Sequence, residues 1–150
     1  YENILIEKFK KEDILITTQH IKLIQNITTG LPYYIMKIAN EIYFYSKFKN
    51  KPISKISILR ITLDIYCNEK DFIALELSKI KGKKYYIEIL KQIAKSKNPY
   101  PALESIGVRS QNISKIINGL KDFGLVSKDK HDKYMILDPF IKYYLKNITI

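Results

Sequence analysis

The stretch GVRSQNISKIINGLKDFGL, from Gly107 to Leu125, constrains the fold more than any other, because two glycines bracket an amphipathic helix. Ile113, Ile116, Ile117 and Leu120 recur at helical spacing, which predicts that one face of 110–122 is core. The opposite face carries Ser110, Gln111, Asn112, Ser114, Lys115 and Asn118. These side chains offer hydrogen bonds and charge of the kind that meets base edges and phosphates. Ser110 is expected to cap the helix through its hydroxyl, and Gly124 to end it in a left-handed conformation.

The flanking segments complete a unit. Tyr85 to Ser96 is predicted to be a helix with Ile89, Leu90 and Ile93 inward, stopped by Pro99 to Pro101. Ala102 to Ile106 reads as a short second helix that turns through Gly107 into the Ser110 helix. After it, Leu125-Val126-Ser127 and Tyr134-Met135-Ile136-Leu137 flank Lys128-Asp129-Lys130-His131-Asp132-Lys133, the pattern of a hairpin with a charged tip. Asp138 is expected to cap a last helix with Pro139 in its first turn. Helix, short helix, polar-faced helix, hairpin and helix make a winged helix-turn-helix over 83–150.

Residues 1–82 read as helical. Ile4 to Asp13 forms a first helix, and Thr17 or Thr18 caps a second in which Ile21, Leu23, Ile24 and Ile27 make a broad apolar face. Gly30 can end that helix left-handed, and Pro32 suits the first turn of the next, YYIMKIANEIYFYS. The Lys-rich, Pro-broken segment 46–55 is a candidate linker. Two further helices are expected, Ser54 to Tyr66 and Glu69 to Ile80. The fold class is therefore mainly α: a helical bundle with linker helices, then a winged helix-turn-helix with a small β-hairpin wing.

A hydrophobic content of 46% supports folded cores and argues against disorder. Because Lys, Asp, Glu or Asn interrupts every Ile-rich run, no segment approaches the roughly 18 consecutive apolar residues that would span a bilayer, and no membrane association is expected. Cys67, the only cysteine, cannot form an internal disulfide and is expected to be a small buried hydrophobe in a reducing cytoplasm. The formal charge of +11 favours polyanions. Its excess is spread, with 14 basic and 9 acidic side chains in 1–83 and 12 and 6 in 84–150. Lys and Ile enrichment also accompanies AT-rich genomes and hot habitats, so the charge alone identifies no partner. Opening on Tyr1 without a leader pattern, the chain is expected to be an excised piece of a longer protein.

The TTGLPYYIMKIA block, followed by YYIEILKQIA, SIGVRSQNISKIINGLKDFGLV and YMILDPFIKYYL, resembles the C-terminal region of archaeal ATPases of the AAA+ and STAND type. In that family a P-loop core is followed by a helical lid with a Gly-x-Pro turn and then a winged helix. The resemblance covers nearly the whole chain, and its winged-helix portion is shared by many regulators. It implies an ATPase lid and linker over 1–82, with Gly30, Leu31 and Pro32 against the adenine of a nucleotide held mainly by the parent's core. ATP and magnesium would belong to the parent. This chain has five glycines and no GxxxxGK[ST] loop, so it lacks the backbone cradle for phosphates and is expected to bear no cofactor and to catalyse nothing. Lys37 follows the turn, but its residue type alone does not mark it as a phosphate contact.

The other chemistry-bearing residues form no catalytic pattern. His20 and His131 are far apart in sequence, and the pairs Glu12 and Asp13 or Asp71 and Glu76 are most simply solvated helix charges. The candidate nucleic-acid contacts are Arg109, Ser110, Gln111, Asn112, Ser114 and Lys115 on the helix, with Lys128, Lys130 and Lys133 on the wing. Double-stranded DNA and the parent's ATPase core are the expected partners. Two other readings fit the same residues: a free-standing winged-helix transcriptional regulator, and a protein-docking module. Asp122, Asp129 and Asp132 weaken the basic field, and Arg109 is alone where a strong sequence-specific reader usually carries more than one Arg.

Overall fold

In the computed structural model, which describes residues 2–147, the chain is mainly helical and carries one small antiparallel hairpin. It divides into two compact units at Glu69 and Lys70. That division lies inside a helix, whereas the sequence expectation placed the join between 82 and 83.

The first unit contains α1 (Glu2–Lys11), α2 (Thr18–Thr28), α3 (Pro32–Lys49) and the first half of α4 (Lys55–Lys81). α1 packs on α2, and α2 on α3. Thr17 caps α2 reciprocally: its Oγ1 accepts from the His20 amide, and its own amide donates to His20 Nδ1, both at 3.2 Å. Ile21, Ile24 and Thr28 recur along the buried face, and the Thr28 hydroxyl donates to the Ile24 carbonyl at 2.8 Å, so this polar group is satisfied. At the corner, Thr29 and Gly30 both have positive φ, 51° and 77°, before Pro32 opens α3. Glycine takes that conformation freely, while Thr29 bears its strain, offset by bonds from the Gly30 and Leu31 amides to Gln25 and Thr28 carbonyls, both 3.0 Å.

Three expectations for this region are corrected. The helices expected at Ser54 to Tyr66 and Glu69 to Ile80 are one helix, α4. No Pro or Gly interrupts 55–81, so the shift in apolar phase is met by rotating the buried face, from Ile58, Ile61 and Ile65 to Ile73, Leu77 and Ile80. Cys67 is exposed. Two positions past Ile65 turns a side chain by about 200°, which takes Cys67 to the far face. The linker is shorter than 46–55, since α3 continues to Lys49 and ends at left-handed Asn50.

The second unit contains α5 (Tyr86–Ala94), α6 (Pro99–Glu104), α7 (Ser110–Asp122), β1 (Val126–Lys128), β2 (Tyr134–Ile136) and α8 (Pro139–Asn147). α5 is central, packing on α6, α7, β2 and α8 around Ile89, Leu90 and Ile93. The order and the hairpin are those expected of a winged helix. Pro99 and Pro101 open α6 instead of merely stopping α5: Asn98 Oδ1 accepts from the Tyr100 amide at 3.0 Å, and a first-turn proline loses no helical hydrogen bond. Gly124, at φ 73°, closes α7 as expected. The strands pair Val126 with Ile136 and Lys128 with Tyr134. Asp138 Oδ1 then caps α8 through the Phe140 and Ile141 amides, at 2.8 and 3.2 Å. No helix among the described residues is long and apolar enough to cross a membrane.

Candidate functional sites

α7 buries Ile113, Ile117 and Leu120, and the 3.6-residue period consequently turns Gln111, Asn112, Lys115 and Asn118 outward. Arg109 and Ser110 are exposed at its start. The capping position belongs to Arg109, which makes no side-chain cap bond, and Ser110 is the first helical residue, so the expected Ser110 cap is corrected. Val108 is buried just upstream of the cap. Ser114 also departs from expectation: it is half-buried, and its Oγ lies 2.7 Å from the Tyr100 hydroxyl. Its hydrogen bond is made inside the unit.

The wing presents Lys128, Lys130 and Lys133 to solvent. Its tip is organised by Asp129, whose Oδ1 accepts from the His131 amide at 2.7 Å and the Lys133 amide at 3.0 Å. The Lys133 amide is the main cause holding the Asp129 carboxyl below its ordinary range, and His131 adds to it. Lys128 lies 3.8 Å from Asp132, a solvent-exposed pair worth little to stability. It also sits 5.4 Å from the centre of the Tyr134 ring, and Lys121, from the last turn of α7, sits 5.5 Å from the same ring. Burial, and then the adjacent Tyr100, push the Tyr134 phenol above its usual value.

Lys121, Tyr100 and Tyr134 escaped the sequence reading. Lys121 precedes the glycine that turns the chain into the wing, a position that could have flagged it. The meeting of Tyr100 with residues 114 and 134 has no counterpart in spacing.

In the first unit, Gly30 and Pro32 are exposed and Leu31 is half-buried at the α2–α3 corner. Lys37 is committed locally: it pairs with the Glu69 carboxylate and donates to the Tyr33 hydroxyl at 3.0 Å. A groove of about 410 Å³ between α3 and α4 is lined by Phe44, Phe48, Arg60 and Asp64 among others, and excludes Gly30, Leu31 and Pro32. The His20 ring is engaged in the α2 cap. Among the described residues, no group of three or more His, Cys, Asp or Glu side chains is placed to hold a metal ion.

No protein-family model matches the chain, and no curated protein sequence matches it. Among solved structures, the chain is similar to the Walker-type ATPase of the archaeon Pyrococcus abyssi, with a TM-score of 0.71 and 17% sequence identity. The match takes in 96% of this chain and 40% of that one, so the chain spans well under half the length of its neighbour. At this identity the likeness is one of fold: nearly all of this chain folds as a part of an archaeal ATPase does.

Proposed function

We propose that this chain is the C-terminal regulatory region of an archaeal P-loop ATPase and that its winged helix binds duplex DNA. The observation that carries the DNA reading is the exposed polar face of α7 beside a hairpin presenting Lys128, Lys130 and Lys133. In such an arrangement the wing lysines neutralise backbone phosphates and release condensed counterions, while Gln111 and Asn112 meet base edges. Arg109, Ser110 and Lys115 add contacts at the groove margin. Ser114 supports α7 from behind, through Tyr100.

The similarity to an archaeal ATPase supports placing the first unit as the lid. In this reading Gly30, Leu31 and Pro32 approach the adenine of a nucleotide whose phosphates and magnesium are held elsewhere in the parent. The corner that would present them combines left-handed Thr29 and Gly30 with Pro32 in the first turn of α3. The chain itself is proposed to catalyse nothing and to act in the cytoplasm. A protein-docking role is favoured by one observation, the exposed Ile56, Leu59 and Leu63 on α4.

Duplex binding at low salt decides between these readings, compared for the chain and a Lys128→Ala/Lys130→Ala/Lys133→Ala variant. Binding by the natural sequence, weakened on every duplex in the variant, is the expected result. Failure of the natural sequence to bind would refute the DNA reading.

A further inference from the structure

The helical period divides the charges at the end of α7 between two faces. Asp122 lies about three turns beyond Gln111 and so continues the outward face, closing it with an acid. Lys121 lies about two turns beyond Ser114 and so continues the edge beside that face. That edge meets the hairpin: the Lys121 Nζ is 5.5 Å from the centre of the Tyr134 ring on β2. From β1, the Lys128 Nζ is 5.4 Å from the same centre. A ring face attracts an ammonium group at distances up to about 6 Å, so one tyrosine gathers a helix cation and a wing cation. Both lysines are exposed. Among the described residues, Lys128 has one acidic partner, Asp132 at 3.8 Å, and Lys121 has none.

We infer that Lys121 is a phosphate contact of the DNA interface: with Lys128 on the same Tyr134 ring, it seats the backbone of one strand along the seam between α7 and the wing. The inference deepens the DNA reading above and rests on it. A duplex strand advances about 3.4 Å of axis per phosphate, so two ammonium groups at most about 11 Å apart reach phosphates within about three steps of each other. Two like charges held this close repel, and a phosphate at each relieves the repulsion. The solvent-exposed Lys128–Asp132 pair is worth too little to compete. Lys121 thus supplies charge at the end of α7 where the outward face itself ends in Asp122, which repels the backbone.

Lys121→Met and Lys121→Gln each remove the charge and keep a long side chain beside the ring, so either one carries the test. Lys121→Arg keeps the charge. Lys146→Ala, on α8, which packs on α5 and β2, controls for the loss of one exposed lysine elsewhere in the unit. Duplex binding is measured by anisotropy over a range of salt, with thermal melting alongside to establish that each variant is folded. Lys121→Met should make the log-log salt slope shallower by about 0.9, the value of one phosphate contact, on every duplex. At 0.1 M salt that is about five- to tenfold weaker binding, as a slope of about 0.9 gives over the decade to 1 M. Lys128→Ala should do the same, and the double variant should lose about 1.8. Lys121→Arg and Lys146→Ala should both keep the natural slope. An unchanged slope in Lys121→Met and Lys121→Gln, an equal loss in Lys146→Ala, or a loss that Lys121→Arg fails to repair overturns the inference while the DNA reading stands. Absence of binding by the natural sequence overturns both.

Discussion

Gly119 sits on α7 where the helix approaches α5, and a Cβ built there would lie 2.6 Å from the Tyr86 hydroxyl oxygen and 3.3 Å from its ring carbon Cζ. Replacing glycine with alanine inside an unobstructed helix stabilises by about 1 kcal/mol. Here the added methyl must displace a half-buried tyrosine, and overpacking of that kind costs about 1 to 3 kcal/mol. Gly119→Ala is therefore expected to destabilise the chain by up to about 2 kcal/mol, lowering the melting temperature by a few degrees at roughly 2–4 °C per kcal/mol for this size. In a Tyr86→Phe background the 2.6 Å contact disappears and only the looser ring contact remains, so Gly119→Ala becomes neutral or mildly stabilising. Thermal and urea unfolding of the four proteins in this cycle measure the coupling. If Gly119→Ala stabilised the natural sequence by about 1 kcal/mol, the close approach of α5 and α7 that seats the polar-faced helix would be refuted.

Gln111→Ala/Asn112→Ala should cost about 1 to 3 kcal/mol per lost bidentate base contact, on a preferred sequence only. Equal loss on all duplexes, or none, in a binding-site selection would show that these residues do not read bases. The isolated chain should not bind ATP tightly, and Pro32→Ala should weaken the nucleotide response only in the full-length parent; submicromolar affinity of the chain by calorimetry would contradict this. Because the folded Asp129 carboxyl lies below its ordinary range, its ordering of the wing tip is present above the unfolded value and is lost as pH falls through the folded one. Amide exchange at Lys133 should accordingly stay slow until pH drops below the usual carboxylate range, and Asp129→Ala should speed it at neutral pH. Loss of protection already at or above that range would contradict the assignment.

Local signals in the chain were informative where a single residue decides the backbone. Gly30 and Gly124 adopt the left-handed conformations that their positions demand, Pro32 and Pro139 stand in first turns, and the apolar period of 113, 117 and 120 is the buried face of α7. Where a signal admits two structures, the reading failed. A phase shift at Cys67 looks like a break but is absorbed by a rotating buried face in α4, which also exposes the cysteine. Pro99 and Pro101 can end one helix or begin another, and the Asn98 side chain decides for the latter. The division at Glu69 and Lys70 was illegible because nothing in composition marks the middle of a helix. At the candidate interface, exposure of Gln111, Asn112, Lys115 and the wing lysines followed from periodicity and turn chemistry. The turning of Ser114 toward Tyr100, and the stacking of Lys121 and Lys128 on Tyr134, depend on contacts between elements and carry no local signature.

The central claim, that α7 and the wing form a phosphate-neutralising surface, is tested most directly by the salt dependence of duplex binding by the natural sequence. With about four to six phosphates contacted, a plot of log affinity against log salt should fall with a slope of about −4 to −5. A flat response, or no binding at the lowest salt, would contradict the claim.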